Sequence, residues 1–398
     1  MYVITHYGAL RNTMIRLLSQ VSAGATAVFV GYSSAVVLIL EAASQLDSSP
    51  ALQSAWLLAV GLAMGISTIA LSLYYKAPVL TAWSTPGIAL LIGSLSGLTV
   101  AEAVGVFVFS SSLIVVFGVS GLADRMMKWV PSHIAAAILA GILLKFVSAI
   151  LPALISFPII AGGLIIIYFI CRAYTPRWVF LWLLLAAITL PFFTGKLNEQ
   201  SLMVEAPQWI WVWPHFSWPA LIGVGIPLFV VTMVSQNVPG VMMLRANGYA
   251  PPTSPLITTT GLAGLLLAPL GAFAINLAAI TAAICQTEDA DPDPAQRYKA
   301  AVAAGGFYIL MGLAGSLIVS LFMMMPQAAT ATLAGLALLP VITQNLQRAF
   351  SSTSGAYAAA IAFIVTVADV SFFSISSAFW GLLVGCVVAF LSERTHRI

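Results

Sequence analysis

Charge is scarce in this sequence, and that scarcity sets the class of protein. Of 398 residues only 7% are Asp, Glu, Lys or Arg, whereas 61% are hydrophobic. Soluble domains carry roughly 25% charged residues, so this composition cannot cover a water-facing surface and most of the exterior must meet lipid. The length would allow two or three soluble domains, but the hydrophobic runs follow one another with short polar breaks, as in one integral membrane domain. Cysteine is also sparse. Cys171, Cys285 and Cys386 stand far apart in apolar runs, which excludes a disulfide framework or a thiolate metal site and leaves buried thiols. The four histidines are dispersed. With no nucleophile–base set and no phosphate loop, the sequence points to no enzyme, no metal and no cofactor. No basic tract suits nucleic acid, and repeated polar rings of the kind that line a channel are lacking. Residues 1–20, polar and carrying Arg11 and Arg16, lack the apolar core and cleavage site of a secretory signal.

What is present is a succession of apolar segments. A helix needs roughly 20 apolar residues to cross the hydrocarbon, and spans fall at about 22–42, 53–74, 85–97, 100–121, 132–151, 156–173, 178–194, 218–240, 254–272, 276–286, 300–322, 330–346, 355–371 and 373–392. With both termini inside, the cytoplasmic face receives Arg11, Arg16, Lys76, Arg125, Lys128, Arg172, Arg177, Arg245, Arg297, Lys299, Arg348, Arg394 and Arg397, thirteen of the fifteen basic residues. Such a bias is what membrane insertion imposes. The expected layout is a cytoplasmic tail at 1–21, a first repeat at 22–194, an external connector at 195–217, a second repeat at 218–392 and a cytoplasmic tail at 393–398. Trp209, Trp211, Trp213 and Trp218 cluster around the connector with Pro207 and Pro214, and tryptophan favours the membrane interface. An aromatic capture site for substrate is the sharper alternative.

Seven spans on each side of the connector place the second half upside down relative to the first, the inverted-repeat plan of many secondary transporters. Each half has an unusually short third segment. The first reads Val79-Leu80-Thr81-Ala82-Trp83-Ser84-Thr85-Pro86-Gly87 after Pro78, and the second Gly271-Ala272-Phe273-Ala274-Ile275-Asn276-Leu277-Ala278-Ala279-Ile280-Thr281. The β-branched and aromatic run before Ser84 favours a strand. Ser84 or Thr85 can cap a helix with proline in its first turn. A helix that starts inside the membrane aims unpaired N–H groups and a partial positive charge into the protein. Two such starts facing one another form a carboxylate site that needs no buried arginine; a proline kink or a short tilted helix is the plainer structural account of each.

These segments also carry a resemblance. The run Pro78–Gly87, Ser235-Gln236-Asn237-Val238-Pro239-Gly240, Ala278-Ala279-Ile280-Thr281-Ala282-Ala283-Ile284-Cys285-Gln286 and Ser376-Ser377-Ala378-Phe379-Trp380-Gly381 resemble the benzoate/proton symporter family over nearly the whole chain. The resemblance implies an all-α integral membrane fold of fourteen segments in two inverted sevens, as in nucleobase/ascorbate and sulfate transporters. It also implies a core domain carrying substrate, a gate domain, a possible homodimer through the gate, and elevator-like movement of the core. Nucleobase transporters of this fold carry a glutamate in their eighth segment where this chain has Gln236 and Asn237, and an acid near the tenth half-helix where it has Ile275 and Asn276. Amides keep hydrogen-bond donors and remove a charge that would repel an anion.

The expected substrate site is therefore a set of neutral groups among apolar walls. Ser84, Thr85, Pro86 and Gly87 form one side, Asn276 and Leu277 the other, with Gln236, Asn237 and Tyr32 completing it and Ser33 and Ser34 nearby. Capping, interhelical hydrogen bonds and packing are the corresponding structural roles. Ionisable groups in a membrane are functional suspects, so Glu102, His133 and Lys145 are the proton-coupling candidates. A Lys145–Glu102 pair, snorkelling of the lysine or a helix-end histidine would account for them without function. Glu41 and Asp369 fall near external ends, and the run Glu288–Pro294 reads as a cytoplasmic loop whose prolines argue against an EF-hand. The sequence thus leads to import of benzoate or a similar small aromatic carboxylate with a proton, across a bacterial inner membrane. A nucleobase or another organic anion as substrate is the alternative.

Overall fold

The computed structural model describes every residue except 1, 47, 123–131, 176–178, 199–205, 207, 352, 369–376 and 396–398. Asp369, Ser376, Pro207, Arg125, Lys128, Arg177 and Arg397 lie outside the described residues, as do the side chains of Arg11, Ser33, Ser34 and Arg394. The chain is an all-α membrane fold with one two-stranded ribbon at its centre. In chain order the elements are α1 (Tyr2–Ser44), α2 (Pro50–Tyr75), β1 (Thr81–Trp83), α3 (Thr85–Ser94), α4 (Val100–Val119), α5 (Ser132–Ser148), α6 (Ile150–Ser156), α7 (Pro158–Tyr174) and α8 (Val179–Phe193). After the connector come α9 (Trp218–Arg245), then α10 (Thr253–Leu267), β2 (Ile275–Leu277), α11 (Ile280–Gln286), α12 (Tyr298–Leu313), α13 (Gly315–Met323), α14 (Gln327–Ala349), α15 (Thr353–Val367) and α16 (Ser377–Thr395).

Every span expected from hydropathy coincides with a helix, with four refinements. Residues from Tyr2 onward continue α1 rather than forming a separate tail. The fifth segment runs on through α6 to Ser156, with the sixth starting at Pro158 beyond Phe157, and the eleventh bends by 56° between α12 and α13. The second short segment opens as strand and becomes helix only at Ile280. Local chemistry sets the boundaries. Ser49 caps α2 ahead of Pro50, Ser84 caps α3, and Thr99 with Glu102 forms a capping box on α4.

One bundle surrounds the ribbon. α2 packs on α12, α4 on α10, and α1 on α11, α12 and α3. The α2–α12 seam is glycine-made: a Cβ on Gly61 would lie 2.7 Å from the Tyr308 carbonyl, and one on Gly65 2.7 Å from that of Gly305. Without a hydrophobic drive between helices in lipid, such small-residue seams let backbones touch and gain dispersion. A second bundle joins α5 to α14 and α15, α15 to α16, and α7 to α8. Contacts of α1 with α14 and of α3 with α5 tie the two together. The connector lies across the ends of the first bundle: His215 N–H donates to Ala101 O at 2.9 Å and Val212 N–H to Pro269 O at 2.8 Å. Its tryptophans remain exposed.

Candidate functional site

The strands pair antiparallel, Thr81 with Leu277, Ala82 with Asn276 and Trp83 with Ile275. Two further bonds extend the ribbon, from Ser84 N–H to Ala274 O at 3.0 Å and from Ala278 N–H to Leu80 O at 2.9 Å. This pairing brings the two short segments together and satisfies backbone groups that lipid could not. β1 is held by hydroxyls of α2. Thr81 Oγ1 donates to Met64 O at 2.9 Å and lies 2.7 Å from Ser67 Oγ and 2.8 Å from Thr68 Oγ1. The Thr81 N–H donates to Thr68 Oγ1 at 2.9 Å, and Ser72 Oγ donates to Val79 O at 2.9 Å. Threonine and serine at these positions of α2 gave no signal in the sequence because their partners lie on another element.

Ser84 is fully buried and is the cap of α3, its Oγ accepting the Gly87 N–H at 2.9 Å. Pro86 has no N–H. The donors left at this helix start are therefore those of Thr85, its backbone N–H and its partly exposed hydroxyl, fewer than the expectation that also drew on Pro86 and Gly87. Gly87 instead permits close packing: a Cβ there would sit 3.0 Å from Leu228 Cδ1 of α9. The ten residues of α3 align a dipole with its positive end at this point.

On the other side, amides hold the second strand. Asn237 is fully buried; its Oδ1 accepts the Leu277 N–H at 3.0 Å and its Nδ2 donates to Met233 Sδ at 3.2 Å. Both ends are thus committed, and Leu277 turns its side chain into a cluster with Leu71, Val79 and Leu244. Gln236, one residue earlier, is partly exposed. These two amides lie in a π-helical turn, Met233–Asn237, a local widening of the kind frequent at functional sites. Asn276 lies in β2 rather than at a helix start. Its Nδ2 donates to Ala274 O at 2.9 Å, and its buried Oδ1 has no hydrogen-bond partner among the described residues. Ala274 itself has φ of 47°, a left-handed conformation unusual for a residue with Cβ. That strain sits where β2 begins. α11 has no side-chain cap.

Tyr32 is buried to 2% exposure and meets Trp83 edge-on at 4.8 Å, so it lies against the ribbon; its hydroxyl has no hydrogen-bond partner among the described residues. A Cβ on neighbouring Gly31 would lie 3.3 Å from Thr281 Cγ2 and 3.9 Å from the Tyr308 hydroxyl, which puts α1, α11 and α12 at one point. A groove of about 970 Å³ runs from there between α1 and α11, lined by Val30, Thr26, Ser22 and Ser19 on one side and Ala283 and Thr287 on the other. Beyond it, Asp291 lies fully buried, holding Arg16 at 2.5 Å and Gln20 at 2.6 Å. Arg297 donates to Asp291 O at 2.7 Å and to Gln286 O at 2.8 Å, closing the loop behind α11.

The ionisable candidates stand elsewhere. Glu102 is engaged by the Thr99 N–H and hydroxyl, both at 2.9 Å, and lies 3.9 Å from His215, rather than pairing with Lys145. Lys145 is exposed in the last turn of α5. The ring of His133, in the first turn of α5, lies against Gly355 of α15. Glu41 lies in the last turns of α1 within reach of Gln45 at 3.4 Å. One group went unnoticed in the sequence: Thr232 of α9 is fully buried and its Oγ1 has no partner among the described residues. Helical threonines elsewhere in the chain, such as Thr258 and Thr332, bond back to the carbonyl four residues earlier. Only the packing distinguishes Thr232 from them.

The profile of the benzoate membrane transport protein family matches residues 15–391. The chain belongs to that family. This family member is 42% identical over 365 residues to the inner membrane protein YdcO of Escherichia coli (strain K12), an alignment covering 92% of this chain and 93% of that one. It is 35% identical over 374 residues to the benzoate membrane transport protein of Acinetobacter baylyi (strain ATCC 33305 / BD413 / ADP1), covering 94% and 95%. Among solved structures, the transmembrane domain of the cyanobacterial bicarbonate transporter BicA superposes with a TM-score of 0.59 at 14% identity, covering 94% of this chain and 97% of that one. SLC26A9 does so with a TM-score of 0.59 at 12% identity, covering 92% and 65%. At such identities the superpositions establish the fold. Together with the family, they make this chain a multi-pass membrane transporter and not an enzyme.

Proposed function

We propose that this transporter imports benzoate or a similar small aromatic carboxylate together with a proton across a bacterial inner membrane, N-terminus in the cytoplasm. The observation that carries the reading is the ribbon. It joins the start of α3, with the Thr85 donors and a positive helix end, to a wall of neutral amides and the aromatic pair Tyr32–Trp83. A carboxylate suits the first, an aromatic ring the second. Thr85, Gln236, Asn276 and Tyr32 bind the substrate; Ser84, Asn237 and Leu277 hold the binding groups in place. The name of the Acinetobacter relative supports the choice of carboxylate, that of the Escherichia coli relative the choice of membrane, and the distribution of Lys and Arg the orientation.

Proton coupling follows from energetics. An inside-negative potential opposes a bare anion by about 2.3 kcal/mol per charge per 100 mV, and one accompanying proton cancels that cost. In proteoliposomes holding the purified chain, labelled benzoate accumulates under an inward proton gradient and the accumulation collapses with a protonophore. Accumulation indifferent to the protonophore would remove the symport. Uptake of a nucleobase in preference to benzoate would move the substrate to the alternative class.

A further inference from the structure

Resting on the carboxylate reading above, we infer that the site binds its substrate as the neutral carboxylic acid, with Asn276 Oδ1 accepting the acid's O–H, so that the proton travels on the substrate and not on a side chain. The first ground is which groups surround the site. There is no Asp, Glu, Lys, Arg or His in residues 17–40, 77–101, 218–244, 246–287 or 300–347. These stretches contain β1, α3, β2, α11 and the membrane-spanning parts of α1, α9, α10, α12 and α14. The titratable groups near the ribbon on these stretches are the phenols of Tyr32, Tyr308 and Tyr249 and the thiol of Cys285, and α2, which packs on β1 and carries no Asp, Glu, Lys, Arg or His, adds the phenol of Tyr75. α5 also packs on α3 and α9; it carries His133 at one end, against Gly355, and Lys145 exposed at the other. A buried carboxylate would thus meet no formal positive charge, and an unpaired charge in an apolar interior neutralises itself by taking a proton.

The second ground is the hydrogen-bond character of the atoms left over. Asn276 Nδ2 donates to the Ala274 carbonyl, the same oxygen that accepts the Ser84 N–H, which fixes the carboxamide beside the start of α3 and decides which of its atoms is the oxygen. Oδ1 is then a buried acceptor without a partner. An acceptor finds no partner in a carboxylate, which has only acceptors, but it matches the O–H of a carboxylic acid. The Thr85 N–H, across the ribbon, matches the carbonyl oxygen of the same group. The two atoms together require one donor and one acceptor from the ligand. At pH 7 a carboxyl with a pKa of about 4 is neutral in roughly one molecule per thousand, so the proton is drawn in from the compartment where it is more abundant. Binding and coupling then become a single event.

The test is proton release or uptake on binding by the full-length protein in detergent. Calorimetry of benzoate binding near neutral pH, in two buffers of different ionisation enthalpy, is expected to show uptake of one proton per benzoate, with the apparent Kd rising tenfold per pH unit. Benzamide, which offers an N–H and a carbonyl but does not ionise, competes with an affinity independent of pH. Methyl benzoate, which lacks the donor, competes at least tenfold more weakly. Asn276→Leu weakens benzoate and benzamide by at least tenfold each. The wild-type measurements stand on their own should that variant fail to fold. Benzoate bound without proton uptake overturns the inference while leaving benzoate transport intact. Absence of benzoate binding, where another organic anion binds, overturns the substrate reading and this inference with it.

Discussion

The two short segments are built to one plan but held by different chemistry. β1 is anchored through hydroxyls: Thr81 bonds Met64 and Thr68, and Ser84 closes the first turn of α3. β2 is carried by amides: Asn237 takes the Leu277 N–H, and Asn276 folds back on Ala274. The hydroxyl side is nearly saturated. The amide side keeps an unpaired acceptor, a left-handed Ala274 and an uncapped α11. Hydroxyls on α2 lock a strand to its own helix neighbour, whereas the Asn237 amide of α9 reaches a strand forty residues away and the Asn276 amide bonds only within its own segment. In the proposed reading β1 serves as the fixed wall, and β2 carries the acceptor offered to the ligand.

The strongest way to break this comparison is charge. Thr85→Asp puts a carboxylate at the start of α3, and labelled benzoate uptake is expected to fall at least 100-fold, about 2.7 kcal/mol or more, with membrane insertion retained on an immunoblot. Wild-type uptake would take α3 out of the site. Next comes a pair. Asn237→Ala leaves the buried Leu277 N–H without an acceptor, and Thr81→Val removes the bond to Met64; each costs about 1–3 kcal/mol in thermal unfolding in detergent. Asn237→Ala also weakens benzoate binding by more than tenfold, while Thr81→Val leaves it within threefold. Equal losses of binding would erase the distinction between the walls.

Ser84→Ala sharpens the comparison from the other side. Loss of the cap destabilises by about 1 kcal/mol, with a several-fold loss of benzoate affinity as the first turn of α3 frays. The smallest effect lies behind α11. Burial pushes the Asp291 carboxyl up, but hydrogen bonds from Arg16, the Asp293 N–H and Gln20, with the charge of Arg16, hold it below the usual carboxylate range. Its contribution is complete above a carboxylate's ordinary pKa of about 4 and is lost as pH falls through the lower folded value. Melting temperatures recorded from pH 6 down to pH 3 are expected to decline less steeply in Asp291→Asn than in the wild type. Parallel curves would show that the Arg16–Asp291 contact contributes nothing to stability.

Much of the fold was legible in the sequence because lipid imposes one-dimensional rules. Runs such as 53–74 and 218–240 must be helices, and Ser84-Thr85-Pro86 must start one. Of the expected site, the sequence showed which residues lie near the ribbon but not what they bond. Asn237 reads in the sequence as a donor to substrate, but the fold gives both its ends to Leu277 and Met233. Glu102 reads as a partner for Lys145, but Thr99, three residues before it, reaches it first. Thr232 looks like any helical threonine until its hydroxyl is found buried and unbonded.

By itself the sequence determined that this chain lives in a bilayer, where two short segments interrupt its helices, and that almost no charge accompanies them. Hydrophobicity, proline and caps act locally, so they can be read along the chain. Only the tertiary structure decided which polar atoms are already spent and which are left for a ligand. Hydrogen bonds between separate elements, Thr81 with Thr68 or Leu277 with Asn237, leave no periodic trace, and the unpaired oxygen of Asn276 is defined by what surrounds it.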